Sequence, residues 1–121
     1  MAEHNKLGQL GENIAAKFLQ EKGFVITDRN WVFQKHEIDI IALDKDILVF
    51  VEVKTRSANP IDEPESAVTI TKQRSVIKAA NAYIDEKELS NEARFDIISI
   101  IAHTNTNEIN HIEDAFYPIV K

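Results

Sequence analysis

The 121-residue chain contains no cysteine. That absence excludes a disulfide scaffold, a thiol nucleophile, a zinc ribbon and an iron–sulfur centre, and it fits a reducing compartment. Glycine and proline are scarce, three of each, and no Pro-, Gly- or Ser-rich linker divides the chain. The sequence therefore predicts one domain spanning residues 1–121. No apolar run approaches the roughly 20 residues of a membrane span, and the opening MAEHNKLGQLGE is too polar for a signal peptide. The expected setting is cytoplasmic, with no membrane contact. Basic residues are also in deficit: 14 Lys and Arg stand against 20 Asp and Glu, a net charge of −6. Taken whole, this argues against generic polyanion binding. The deficit is uneven, however. Residues 1–84 carry 12 acids and 11 bases, whereas residues 85–121 carry 8 acids and 3 bases. The acidic last third is thus a candidate protein-binding surface, and the first two thirds are close to neutral.

Against these absences stands strong patterning. Leu7, Leu10, Ile14, Ala15, Phe18 and Leu19 recur at helical spacing and predict a helix from Leu7 to Lys22, closed by Gly23. Phe24 to Phe33 mixes β-branched and aromatic residues and reads as a strand. EIDIIALD at 37–44 and ILVFVEVKTR at 47–56 read as a hairpin around Lys45-Asp46. Ser57 to Glu65, with Asn59-Pro60 and Glu63-Pro64, reads as a loop. A helix is expected from Lys72 to Ile84 with Thr71 as its N-cap, then a strand from Arg94 to Ala102 and a short edge strand from Ile109 to Ile112. The order predicts an α/β fold, a mixed sheet of four to five strands flanked by helices.

The hairpin carries the chemistry. A turn centred between Lys45 and Asp46 places Asp39 opposite Glu52 and Glu37 opposite Lys54. Period-two alternation then projects all four from one face, with Ile38, Ile40, Val49, Val51 and Val53 on the other. Opposed carboxylates at one end of a buried sheet repel one another and resist ionising together. A divalent cation resolves the conflict, since Mg²⁺ takes oxygen ligands and typically binds one or two carboxylates plus waters and substrate phosphates. Lys54 is placed to meet an attacking water or the charge growing on a phosphate. The bland alternative is a Glu37–Lys54 surface pair with Asp39 and Glu52 solvated at a sheet edge. The Val/Ile runs around these acids favour a central, covered hairpin instead.

Asp39 followed by Glu52-x-Lys54 on the next strand resembles the PD-(D/E)xK nuclease signature. The surrounding segments GQLGENIAA from Gly8, EIDIIA from Glu37, LVFVEVKTR from Leu48, AVTITKQ from Ala67 and RFDII from Arg94 resemble the YraN family. These small bacterial proteins belong to the restriction-endonuclease-like superfamily and are similar to archaeal Holliday-junction resolvases. The resemblance implies a restriction-endonuclease-like core in which Asp39, Glu52 and Lys54 match the metal and catalytic positions, with Mg²⁺ or Mn²⁺ as cofactor. Glu12 matches the acid that such resolvases place on the first helix, which makes it a further candidate catalytic and metal-binding residue. The family usually carries Gly before Glu-Ile-Asp; this chain has His36.

Arg56 follows the catalytic-type lysine, and Lys72, Arg74 and Lys78 give residues 69–84 three bases and no acid. These four are candidate nucleic-acid contacts, Lys72 foremost because phosphate favours a helix N-terminus. Trp31 reads as core rather than as a base-stacking residue, and His4, His36, His103 and His111 show no ligand spacing. The leading reading is a metal-dependent nuclease acting on DNA by shape, such as branched DNA; two cuts on a junction would call for a homodimer. The alternatives are a non-catalytic nucleic-acid-binding accessory protein with the same fold, and a protein whose carboxylate cluster is structural.

Overall fold

The computed structural model describes residues 2–58 and 68–118. Helix α1 (Ala2–Glu21) is followed by strands β1 (Val25–Phe33), β2 (His36–Asp44) and β3 (Ile47–Ser57), helix α2 (Ile70–Lys87), and strands β4 (Ala93–Ala102) and β5 (Asn107–Phe116). The strands form one sheet in chain order. All neighbours are antiparallel except β3 and β4, which run parallel. A parallel pair needs a long crossover, and α2 supplies it.

The helices cover opposite faces. Ala15, Ala16 and Leu19 of α1 pack on Ile40, Ala42, Val49, Val51, Ile98 and Ile100. Val76, Ala79, Ala80 and Tyr83 of α2 pack on Ile41, Leu48, Phe50 and Phe95. Burial on both sides explains why β2 and β3 read as continuous Val/Ile runs rather than as an alternating pattern. Trp31 joins the α2 layer, edge-on to Tyr83 at 5.1 Å between ring centres. Helix α1 ends in a Schellman motif: Gly23 adopts φ 98°, its N–H donates to the Gln20 carbonyl, and the Phe24 N–H donates to that of Leu19. Gly11 lies where α1 crosses β3, and a Cβ there would fall 2.7 Å from Thr55 Cβ, so only glycine lets the helix come this close. No helix of the described residues is long and apolar enough to cross a membrane.

Several boundaries differ from the sequence reading, among them α1, which begins at Ala2 rather than Leu7, and α2, which runs on to Lys87 rather than Ile84. Helix α2 starts two residues earlier, with Thr69 rather than Thr71 as N-cap. The Thr69 side chain accepts the Lys72 N–H, and its carbonyl accepts the first helical bond, from Gln73 N–H. Strand β3 runs through Ser57 because Arg56 and Ser57 pair with Ile101 and Ala102; Asn59-Pro60 and Glu63-Pro64 lie outside the described residues. Strand β5 is far longer than Ile109–Ile112. A register shift opposite Phe95/Ile97, with Asp114 at φ 55°, breaks its alternation and hides the strand from a period-two reading.

Candidate functional site

From Asp44–Ile47 to Ile40–Val51, β2 and β3 keep the register set by a turn at Lys45-Asp46. There the ladder stops. Asp39 Oδ2 accepts the Val53 N–H at 2.8 Å, so a side-chain carboxylate takes the place of a backbone carbonyl. The predicted single face for Glu37, Asp39, Glu52 and Lys54 is not what forms. Ile40 packs in the α1 layer and Ile38 in the α2 layer, so the strand rotates between them. The neighbouring strand rotates with it. Arg29, paired with Ile40, reaches Asn13 on α1, whereas Trp31, paired with Ile38, packs toward α2; between them Asn30 adopts φ 52°. Asp39 is thereby turned into the gap between β2 and β3. Glu37 falls on the α1 side, in a cleft of about 380 Å³ shared with Gln9, Glu12, Asn30 and Asp39. Glu52 follows Phe50 onto the α2 side. A rotation at one residue leaves no mark on composition. The available signal was Asn30, one of the few residue types that tolerate positive φ.

Glu52 is 7 % exposed. Its Oε2 lies 3.5 Å from Lys72 Nζ, and its Oε1 is buried with no hydrogen-bond partner among the described residues. Burial, and next the charge on Asp39, push the Glu52 carboxyl up to about 8, with Lys72 pulling the other way. Burial likewise lifts Asp39 to about 6, opposed by the Val53 N–H and reinforced by Glu12. The two acids thus feel one another from either side of the splayed strands. Glu12 is buried on α1, and its Oε1 accepts from Arg29 Nη2 at 2.9 Å and from Asn30 Nδ2 at 2.8 Å. Arg29 and Asn30 are site residues that the sequence reading missed. Among the described residues, no three Asp, Glu or His side chains stand together as a ready metal cluster. The charge of Asp39 is felt at Glu52, and Glu12 lines the Asp39 cleft while tied to β1.

The basic candidates separate. Lys72 turns to Glu52, away from the exposed Arg74 and Lys78 farther along α2. Lys54 and Arg56 line a groove of about 290 Å³ over β4 and β5 with Ser99, Ile101, Glu108 and Asn110. Asn30 offers a direct check on the strand rotation. Asn30→Gly should lose only the bond to Glu12, about 1 kcal/mol, whereas Asn30→Ala adds roughly 1–2 kcal/mol of left-handed strain. The alanine variant is therefore expected to melt below the glycine variant, and equal melting temperatures would contradict the positive φ.

A mixed sheet covered on both faces, with a hairpin splayed at its acidic end and a helical crossover to a parallel fourth strand, is a restriction-endonuclease-like core. The chain matches the family described as "Uncharacterised protein family UPF0102" over residues 11–100 and belongs to it; this is the YraN family. A UPF0102 protein of Flavobacterium psychrophilum is 49% identical over 117 residues, covering 97% of this chain and 98% of the relative. One from Bacteroides thetaiotaomicron is 45% identical over 118 residues, 98% of both chains. One from Chlorobium chlorochromatii is 43% identical over 118 residues, 93% of this chain and 92% of the relative.

Proposed function

We propose that the protein is a metal-dependent nuclease that hydrolyses phosphodiester bonds in DNA, with branched DNA as the favoured substrate class. The observation that carries this reading is Glu52 Oε1, a buried carboxylate oxygen without a partner among the described residues, beside a second carboxyl held up by burial. Leaving such a group unsatisfied costs free energy in a purely structural role. The donor set suits Mg²⁺ or Mn²⁺: all oxygen, two carboxyls, and room for water and phosphate in the adjoining cleft. Asp39 and Glu52 would hold the cation, with Glu12 as a third acid on its α1 side. Bound there, the cation would supply charge neutralisation at a phosphate and a more acidic water.

The remaining roles belong to the chain's own groups. Lys72 orients Glu52 through its 3.5 Å contact. Lys54, one alternation beyond Glu52 on β3, is the group assigned to the reacting phosphate or water. Arg56, Arg74 and Lys78 contribute backbone contacts. The acidic last third is the surface for a protein partner, and a junction cut twice would engage two chains. The non-catalytic binding reading draws on one observation, that among the described residues no third acid completes a metal cluster.

The deciding experiment incubates labelled linear, flap and four-way DNAs with wild type, Glu52→Gln and Lys54→Ala in millimolar Mg²⁺ or Mn²⁺. Cleavage by wild type and a loss of about 100-fold or more in both variants are expected, with binding retained by Lys54→Ala. Metal-independent binding without cleavage by wild type would replace the nuclease with the accessory-protein reading.

A further inference from the structure

A second cleft, of about 370 Å³, lies between the β1–β2 turn and α2, lined by Lys35, His36, Thr71, Arg74, Ser75 and Lys78. Three of the six are cations and none is an acid. Lys35, Arg74 and Lys78 are all exposed, and among the described residues no carboxylate pairs with any of them. This is unusual placement in a chain with 20 acids and 14 bases. Arg74 and Lys78 stand four apart on one helix, where like charges repel, and among the described residues no ion pair offsets that repulsion. The cleft also presents fixed polar groups. His36 Nδ1 and Ser75 Oγ are hydrogen-bonded at 2.7 Å, which ties the turn to the helix and orients the imidazole. Thr71 adds a hydroxyl at the rim.

We propose that this cleft binds a phosphate group, and that its occupant is a backbone phosphate of the nucleic-acid strand next to the one at the acid pair. Continuity supports that occupant. His36 lines this cleft while Glu37, the next residue, lines the cleft of Asp39 and Glu12. Thr71 lines it while Lys72, the next residue, contacts Glu52. The cleft therefore lies one residue along α2 from the contact to Glu52, and one residue along β2 from the cleft that opens on the α1 side. Arginine and lysine around hydroxyl donors are the usual positioning contacts for phosphate. The strand rests partly on the nuclease reading, but the phosphate site does not.

The test uses the full chain and the Lys35→Ala/Lys78→Ala double variant, with Glu52→Gln as the acid-pair control. Binding of pyrophosphate is read by chemical-shift perturbation, and binding of labelled single-stranded and duplex DNA by anisotropy across a salt series. Pyrophosphate should shift Lys35, His36 and Ser75 amides in wild type and Glu52→Gln but not in the double variant. For DNA, the double variant should bind about tenfold more weakly, with a salt slope lower by about two. Loss of pyrophosphate binding with unchanged DNA binding would support a site for free phosphates and overturn the strand. No pyrophosphate shift, with DNA affinity and slope unchanged, would overturn the cleft altogether while leaving the acid-pair reading in place. Metal-dependent cleavage absent from wild type, with both cleft effects present, would overturn the nuclease reading and keep this one.

Discussion

Asp96→Asn is expected to lower the melting temperature at neutral pH by roughly 12–20 °C, the equivalent of about 3–5 kcal/mol in a domain of this size. Asp96 is 0% exposed, yet its carboxylate is saturated. Oδ1 accepts from Arg94 Nε at 2.9 Å and from Asp114 N–H at 3.0 Å; Oδ2 accepts from Arg94 Nη2 at 2.9 Å and from His111 Nε2 at 2.8 Å. Lys22 Nζ lies 2.8 Å from His111 Nδ1, and a lysine can only donate, so the ring proton belongs on Nε2, facing Asp96. Burial alone would raise the Asp96 carboxyl, but the bonds from His111, Arg94 and Asp114 outweigh it and hold the group below its ordinary value. Two of those donors come from β5, so one carboxylate fastens the edge strand across its bulge. The amide loses the charge, sets an NH₂ group against donors and leaves Arg94 with only Asp44 and Glu113, the kind of loss that makes breaking one partner of a buried pair costly. Because the folded value is depressed, this contribution is present above the ordinary carboxyl range and fades as pH falls through the folded value. Thermal melts of wild type and Asp96→Asn at pH 7 decide it; a drop of only a few degrees would show that the network contributes little.

Glu52→Gln should act with the opposite sign. Glu52 and Asp39 bind protons more tightly in the folded state, near 8 and 6, than ordinary carboxyls near 4.5 and 3.8. The folded chain therefore holds more protons than the unfolded one between about pH 4 and pH 8, and stability falls as pH rises through that window. At pH 8 the metal-free variant is expected to gain on the order of 2 kcal/mol, roughly 8 °C, over wild type. Its pH profile should be flatter across the same window. Wild type and variant melting alike at pH 8 would mean that Glu52 is solvated rather than strained.

The contrast between these two buried acids shows what the sequence could convey. Both sit in Val/Ile-rich strands, and RFDII holds only half of the difference: Arg94 supplies two of the four donors to Asp96, while Glu52 Oε1 has none among the described residues. The other two donors come from His111 and the Asp114 N–H on β5, whose bulge conceals its register. The hairpin was legible because its turn and register are local: Lys45-Asp46 fixes the pairing from Ile40–Val51 to Asp44–Ile47. The element order was legible because each element has a clear period, and the YraN segments run in matching order along most of the chain. The splay at Asp39 was not, since it arises from a paired rotation of two strands around Asn30. The Lys72–Glu52 contact was hidden for a similar reason. Beginning α2 at Ile70 instead of Lys72 turns that lysine toward Glu52, away from Arg74 and Lys78.

The most direct measurement is a calorimetric titration of Mn²⁺ into the metal-free protein at pH 7.5, run in two buffers of different ionisation heat. If Asp39 and Glu52 form the cation site, wild type binds one Mn²⁺ per chain and releases protons as the raised carboxyls ionise. Glu52→Gln and Asp39→Asn should then lose both the binding and the release. No binding by wild type at millimolar Mn²⁺, or binding that persists unchanged in both variants, would contradict the site.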